Sequence, residues 1–314
     1  MLEFFTVTDV GMNQGANILL KKERYIPIVF SCDDNYIQHL YCALTSLFRK
    51  KHTLDKIKIF ILTDSIEQEN QNLLTKLCTK YNSEISFIKL DKDTFKNCPL
   101  TASCPHISIA TYYRFVLPSV IPKDVNKILY LDCDITIQKS LFELYNTDVE
   151  GYYFAGVQDI LYNENSKRLG LEKYCNAGVM LINLKKWREE NIEKCLFDWT
   201  ENNIDLIKWV DQDTINFVLQ SGILYLDKIW NAQVGQYKAC YTEGFNKIAR
   251  KAGILHYIGG DKPWDEKCTS PVKLPYFINL LHTPYAKKIP YYIIPFYFSL
   301  IKRLTMVLKI SLEV

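Results

Sequence analysis

From residue 26 onward the chain alternates short apolar runs with amphipathic ones, and this alternation limits the fold more than any other feature. Residues 26–31 (IPIVFS) predict a buried strand. Residues 36–50 predict a helix with Ile37, Leu40, Leu44, Leu47 and Phe48 at core spacing, and residues 57–63 a second buried strand. Ser65 with Gln68 three positions on predicts a capping box opening a helix that carries Leu73, Leu74 and Leu77, and residues 85–90 predict a third strand. Strand, helix, strand, helix, strand is the signature of a parallel α/β sheet. Downstream, residues 127–131, 153–157, 178–182, 223–226 and 254–258 predict further strands, with helices over 187–203 and 211–220. The strand-rich second half predicts a mixed sheet flanked by helices rather than a purely doubly wound one.

Composition narrows the function. With 314 residues, 48% apolar and 23% charged, the chain is neither disordered nor fibrous, and a net charge of +3 argues against a protein that holds nucleic acid by phosphate neutralisation. Any acidic ligand must be met locally. Ten cysteines without a CxxC or a paired zinc-type spacing are expected to be reduced. The first residues lack a basic start followed by an apolar core, and no run of eighteen apolar residues occurs, so the expected location is cytoplasmic.

In open α/β sheets ligands sit at the carboxyl ends of strands. Asp132-Cys133-Asp134 follows the strand KILYL directly, and residues two apart in extended backbone face one side, where their carboxylates can meet a hard cation. The same residues also suit a solvated turn. His256 ends another strand and is followed by Gly259, Gly260 and Lys262, a cradle for metal and phosphate or a glycine turn beside a core histidine. Asp211 and Asp213 open a helix as ligands or as an N-cap and a dipole partner, and Asn176-Ala177-Gly178 opens a strand. Asp33, Asn35 and Tyr36 close the first strand as a nucleotide pocket or as a turn and helix cap.

Together, the segments IPIVFSCDDNY, ISIATYYRF, ILYLDCD, YCNAGVMLINLKKW, VDQDTINF and HYIGGDKPW resemble the retaining glycosyltransferases of family 8, the bacterial lipopolysaccharide-type galactosyl- or glucosyltransferases, over about residues 26 to 265. The resemblance implies a GT-A, Rossmann-like nucleotide-binding domain that uses UDP-galactose or UDP-glucose with Mn²⁺. It implies Asp132, Asp134 and His256 as metal ligands, and Gly259 and Lys262 as diphosphate contacts. Asp33 and Asn35 match uridine contacts and Tyr36 the residue on which uracil stacks. Arg114, Asp132, Asn176, Ala177, Asp211 and Gln212 match donor-binding positions. The candidate catalytic residues are Gln212, Asp213 and Asp159. Asp213 is the carboxylate nucleophile that a double displacement would need, while front-face attack would leave Gln212 to stabilise charge on the sugar. Without the family, Arg114 reads as a surface arginine.

The implied organisation is an N-terminal extension over 1–25, a catalytic domain over 26–284 and a basic, aromatic tail over 285–314. The tail carries Lys287, Lys288, Lys302, Arg303 and Lys309 against Glu313 alone, with Pro290 and Pro295 interrupting thirteen uncharged residues. That pattern is too short to span a bilayer and suits the inner membrane face, where a lipid-linked saccharide acceptor would lie. Two other functions fit the same sequence: a self-glucosylating, glycogenin-like primer, for which 21 tyrosines offer acceptors, and a non-catalytic nucleotide-sugar-binding protein.

Overall fold

The computed structural model describes residues 23–103, 107–235, 248–260, 262–265, 268 and 272–292. The expected extension over 1–25 lies outside these residues except for its last three positions, as does the tail beyond residue 292. Among the described residues ten strands form two sheets: β1 (Arg24–Ser31), β2 (Asp55–Thr63), β3 (Glu84–Lys89), β4 (Lys127–Leu131), β5 (Ile135–Ile137), β6 (Phe154–Gln158), β7 (Cys175–Asn183), β8 (Ile223–Tyr225), β9 (Ala232–Val234) and β10 (Ile254–Tyr257). The larger sheet has the order β3-β2-β1-β4-β7-β6-β8. Its first four strands are parallel and β7 runs against both β4 and β6, so the sheet is mixed, as expected. The smaller sheet, β5-β10-β9, is built partly from short strands that the periodicity leaves unmarked.

The helix Ile37–Lys50 is buried without a break from Ile37 to Phe48, because it shares a core with the large sheet while β5 of the small sheet and the helix Leu274–Leu280 pack on its other sides. Ser46 within it is doubly paired: its Oγ accepts the Ile137 N–H at 2.8 Å and donates to the Ala43 carbonyl at 2.7 Å. On the opposite face of the large sheet, Tyr112, Phe115, Trp187 and Leu196 fill a second core.

Three local expectations change. The Ser65–Gln68 capping box does not form: the helix is Gln68–Lys80 with Glu67 at its cap. The Glu67 N–H instead bonds to both Asp34 carboxylate oxygens at 3.1 Å, and Asn70 Nδ2 joins it at 2.8 Å. A carboxylate brought in by the fold thus replaces the local hydroxyl. The helix expected over 187–203 is broken into Leu184–Glu189 and Ile192–Asn202, with Asn191 between them at φ 50°. Asparagine tolerates this left-handed conformation, and the break lets both Trp187 and Ile192 reach the core. The strand expected over 178–182 begins three residues earlier, at Cys175.

That earlier start rests on one side chain. Where β6 and β7 shift register between Gly156 and Val157, Asn216 accepts the Cys175 N–H at 2.6 Å and donates to the Cys175 carbonyl at 2.8 Å. A side-chain amide thereby substitutes for a backbone partner and holds the Cys175–Asn176 segment in extended form. Asn216→Ala would leave two buried backbone groups unpaired, and should lower unfolding free energy by about 2–4 kcal/mol. Urea denaturation would show this as a lower midpoint at unchanged slope. An unchanged midpoint would mean that the segment holds itself.

Candidate active site

At the carboxyl ends of β1 and β4 and beside the start of β7 lies a cavity of about 370 Å³. Asp132 and Asp134 leave β4 at its floor. The Asp132 N–H bonds to the Gly178 carbonyl at 2.9 Å, which continues the β4–β7 ladder, and the chain then enters β5 directly. Because β10 pairs antiparallel with β5, His256 falls opposite Ile135, and the Tyr257 N–H bonds to the Asp134 carbonyl at 2.9 Å. A histidine more than a hundred residues further along the chain is thus placed beside the two aspartates by one strand pairing. Their ligand atoms all lie within 4.8 Å of one another.

The donor set fits a divalent cation of the Mn²⁺ class, two carboxylate oxygens and an imidazole nitrogen. His256 Nδ1 lies 3.0 Å from Asn231 Oδ1, a partner that turns Nε2 toward Asp134 Oδ1 at 3.3 Å and Asp132 Oδ2 at 3.7 Å. Asp134 Oδ1 is buried and makes no hydrogen bond, as an oxygen reserved for a cation would be. The cluster also needs a glycine beside it. A Cβ on Gly178 would stand 2.2 Å from His256 Cε1 and 2.6 Å from Asp132 Oδ2. Burial opposes charge on Asp134, but Lys262 and His256 more than offset it and hold the carboxyl well below the usual range. Lys262 Nζ bonds both Asp134 and the Tyr257 carbonyl, so it neutralises the acidic pair from the cavity wall.

Arg114 is not on the surface. It is 3% exposed and joins four segments: Nε bonds to the Thr111 carbonyl at 3.0 Å and pairs with Asp211 at 3.0 Å, while its terminal nitrogens reach Asp132 at 3.1 Å and the Ala177 carbonyl. Its plane lies 4.0 Å above the Tyr130 ring. Burial pushes the Asp211 carboxyl up to about 6, with Arg114 drawing it back. Asp211 and Ala177 consequently stand behind the cavity wall, which they support through Arg114.

Asp159, Asn176 and Gln212 line the cavity as one network. Asn176 Nδ2 donates to Asp159 Oδ2 at 3.0 Å and lies 3.3 Å from Gln212 Oε1, which accepts the Ala177 N–H at 3.0 Å. Gln212 Nε2 reaches Asp159 Oδ2 at 3.3 Å, and burial raises the Asp159 carboxyl above its ordinary value. Asp213 takes a different place. Fully buried, its carboxylate accepts Tyr174 OH at 2.5 Å, Arg168 at 2.6 Å and the N–H groups of Lys208 and Trp209 at 2.7 and 2.9 Å. It lines no part of this cavity and braces the turn before Gln212, where Val210 holds φ 40°.

At the other end, Asp33 Oδ1 caps a 3₁₀ turn by accepting the Asn35 N–H at 3.0 Å, while Asp33, Asn35 and Tyr36 all face the cavity. The Tyr36 ring stands edge-on to His39 and Trp264, and Trp264 stacks on His39 with centroids 3.5 Å apart. That stack anchors the loop bearing Lys262 and Gly259, the latter at φ 69°. Sequence reasoning missed Asn231, which also donates to Asn176 Oδ1 at 2.8 Å, together with Thr111, Asn165 and Trp209 on the wall. None of these carries a spacing signal. Only the position of Asn231 before a short strand hints at a role.

Known proteins resemble this chain in sequence and in fold. The chain is 32% identical over 248 residues to a putative glycosyltransferase of Haemophilus influenzae, covering 77% of this chain and 74% of that protein. It is 28% identical over 262 residues to a lipopolysaccharide 1,3-galactosyltransferase of Salmonella typhimurium, covering 80% and 76%. Among solved structures, it matches the galactosyltransferase LgtC in complex with donor and acceptor sugar analogues at a TM-score of 0.72 and 29% identity, over 82% of this chain and 96% of that one. The shared architecture is the GT-A type. Since the model of glycosyl transferase family 8 matches residues 27–268 and takes in every wall of the cavity, the chain belongs to that family.

Proposed function

We propose that the protein moves a hexose, galactose or glucose, from a UDP-sugar to a saccharide acceptor with retention of the anomeric configuration. The observation that carries this reading is the convergence of Asp132, Asp134 and His256 on the cavity floor, between a pocket for a nucleoside and a hydrogen-bonding wall suited to a sugar. These three residues would hold Mn²⁺, which supplies the positive charge that a departing nucleoside diphosphate requires. Lys262 adds a point charge beside them, and Gly259 leaves its backbone open to the phosphates. Asp33 and Asn35 present polar groups to the uridine, and Tyr36 offers a ring face to the base.

Asp159, Asn176 and Gln212 read the donor hydroxyls, their orientations fixed by the bonds they share. With the Asp213 carboxylate committed to four donors outside the cavity, front-face attack is the favoured route. The acceptor hydroxyl enters on the side from which UDP leaves, its proton passes to the departing phosphate, and the Gln212 amide dipole stabilises charge on the sugar. The acceptor is a lipopolysaccharide or similar cell-surface glycan, and the basic tail holds the enzyme at the inner, anionic membrane face. Among the described residues no helix is long and apolar enough to cross a membrane. Tyr292 OH bonds to Gln38 at 3.1 Å and Tyr285 packs edge-on to Tyr41, so the tail begins from a fixed point on the fold.

Chelation should abolish transfer and Mn²⁺ should restore it, and Asp132→Asn and Asp134→Asn should each lose at least about a hundredfold in rate while remaining folded by circular dichroism. Mn²⁺ binding by calorimetry should weaken in both. Full activity in excess chelator would remove the metal assignment.

From an α-linked UDP-hexose, the product should carry an α-linkage by NMR of its anomeric proton. Gln212→Ala should keep UDP affinity within a few fold and lose about a hundredfold or more in kcat. A β-linked product, or preference for a GDP- or CMP-sugar, would contradict the proposal. Unchanged intact mass after incubation with donor alone would separate this activity from self-glucosylation.

A chain ending at residue 292 should hydrolyse UDP-sugar like the full chain but no longer sediment with anionic liposomes at low salt. Equal sedimentation of both chains would take membrane binding away from the tail.

A further inference from the structure

Two thiols at the cavity floor have no part in the chemistry above. β1 and β4 are parallel and pair Ile28 with Leu129 and Val29 with Tyr130; the same register carried to the strand ends sets Cys32 opposite Cys133. The Cys133 side chain reaches across to the last residue of β1, the neighbour of Cys32. Cys133 Sγ donates to the Ser31 carbonyl at 3.2 Å, and Cys32 Sγ donates to the Asp33 carbonyl at 3.1 Å. Cys32 and Cys133 are 2% and 5% exposed, and both line the cavity. Among the described residues no other cysteine does so, and Cys195 is the exposed one.

We propose that Cys32 and Cys133 are a modification site, a thiol pair that is oxidised to a disulfide by exchange with a small disulfide entering through the cavity, and that this bond disables transfer. The thiolate of one cysteine attacks a sulfur of the reagent, forming a mixed disulfide and releasing one reagent thiol. The second cysteine, as thiolate, attacks the protein-side sulfur of that mixed disulfide and expels the second reagent thiol. Two protein thiols are oxidised, one reagent disulfide is reduced, and the two protons end on the reagent thiols.

The consequence follows from the position of Cys133 between the two carboxylates. A disulfide requires a sulfur separation of about 2.05 Å and a fixed dihedral angle. Adopting it breaks the Cys133 bond to Ser31 and the Cys32 bond to Asp33, and draws the Asp132–Asp134 turn toward β1. Sites of this kind tolerate displacements of only about 0.5 Å before function suffers. The proposal rests on the reading above in one respect: a uridine nucleotide seated in the cavity would cover the thiols and slow their exchange.

The test uses the full-length wild-type protein with oxidised glutathione, with and without UDP and Mn²⁺, quenched by alkylation and mapped by peptide mass spectrometry. A linked Cys32–Cys133 peptide is expected, forming over minutes to hours. Transfer should fall about a hundredfold in step with the link and return on treatment with a dithiol reductant. Cys133→Ala, compared with its own untreated form, should show neither link nor loss; if that variant does not fold, the wild-type map decides. Modification of Cys195 with Cys32 and Cys133 still reduced or only singly glutathionylated would overturn the proposal, as would a quantitative link with activity unchanged. A link that forms and inactivates at the same rate with UDP present would support the pair while contradicting the placement of the nucleotide.

Discussion

The buried guanidinium of Arg114 holds the site together. It contacts the Asp132 carboxylate at 3.1 Å, Asp211 at 3.0 Å, the Thr111 carbonyl at 3.0 Å and the Ala177 carbonyl. Those partners belong to the end of β4, the helix Val210–Leu219, the 3₁₀ segment Ile109–Val116 and the start of β7. One planar group with five donors can satisfy such a set, whereas a lysine ammonium in the same place could not reach all of it. Losing Arg114 would leave the buried Asp211 carboxylate without its cationic partner, at a cost of about 3–5 kcal/mol. Arg114 therefore connects the acidic floor of the cavity with its polar wall.

The second constraint is the junction of the two sheets. β4 ends in Asp132, the turn passes through Asp134, and β5 begins at once in a different sheet. A chain leaving one sheet for another exposes unpaired backbone, and here β10 supplies the partners while delivering His256. The close approach of His256 and Asp132 is open only because Gly178 has no side chain. Asn231 completes the arrangement by touching both His256 and Asn176, so the acidic cluster and the Asp159–Asn176–Gln212 network share one amide. Precision here comes from strand pairing and buried hydrogen bonds rather than from loops.

Much of this was legible before the structure. The alternation of apolar runs specified the first three strands and the helices between them, because a strand buried on both faces and a helix with one apolar stripe are hard to exchange. Asp-x-Asp after a strand, and histidine followed by two glycines and a lysine, are local patterns with a chemical reason to exist. The strands β5 and β9, three residues each, were not legible, since so short a run has no periodicity of its own and is defined by its neighbours. Asp213 shows the limit most clearly. In sequence it stands next to Gln212 and resembles a nucleophile, yet the helix turns it away from the cavity, where Tyr174, Arg168 and two backbone N–H groups occupy it.

The sequence by itself determined the longer elements, the chemical types available at the strand ends and the family to which their order belongs. Each of these is written in residues that lie near one another along the chain. The tertiary structure decided which of those residues share a cavity. Asp132 and His256 meet through a strand pairing, Arg114 is drawn inward by Asp211, and Asp34 displaces a local cap. Contacts of this kind leave no spacing in the sequence, because burial strengthens an ion pair or a hydrogen bond only once the chain has closed around it.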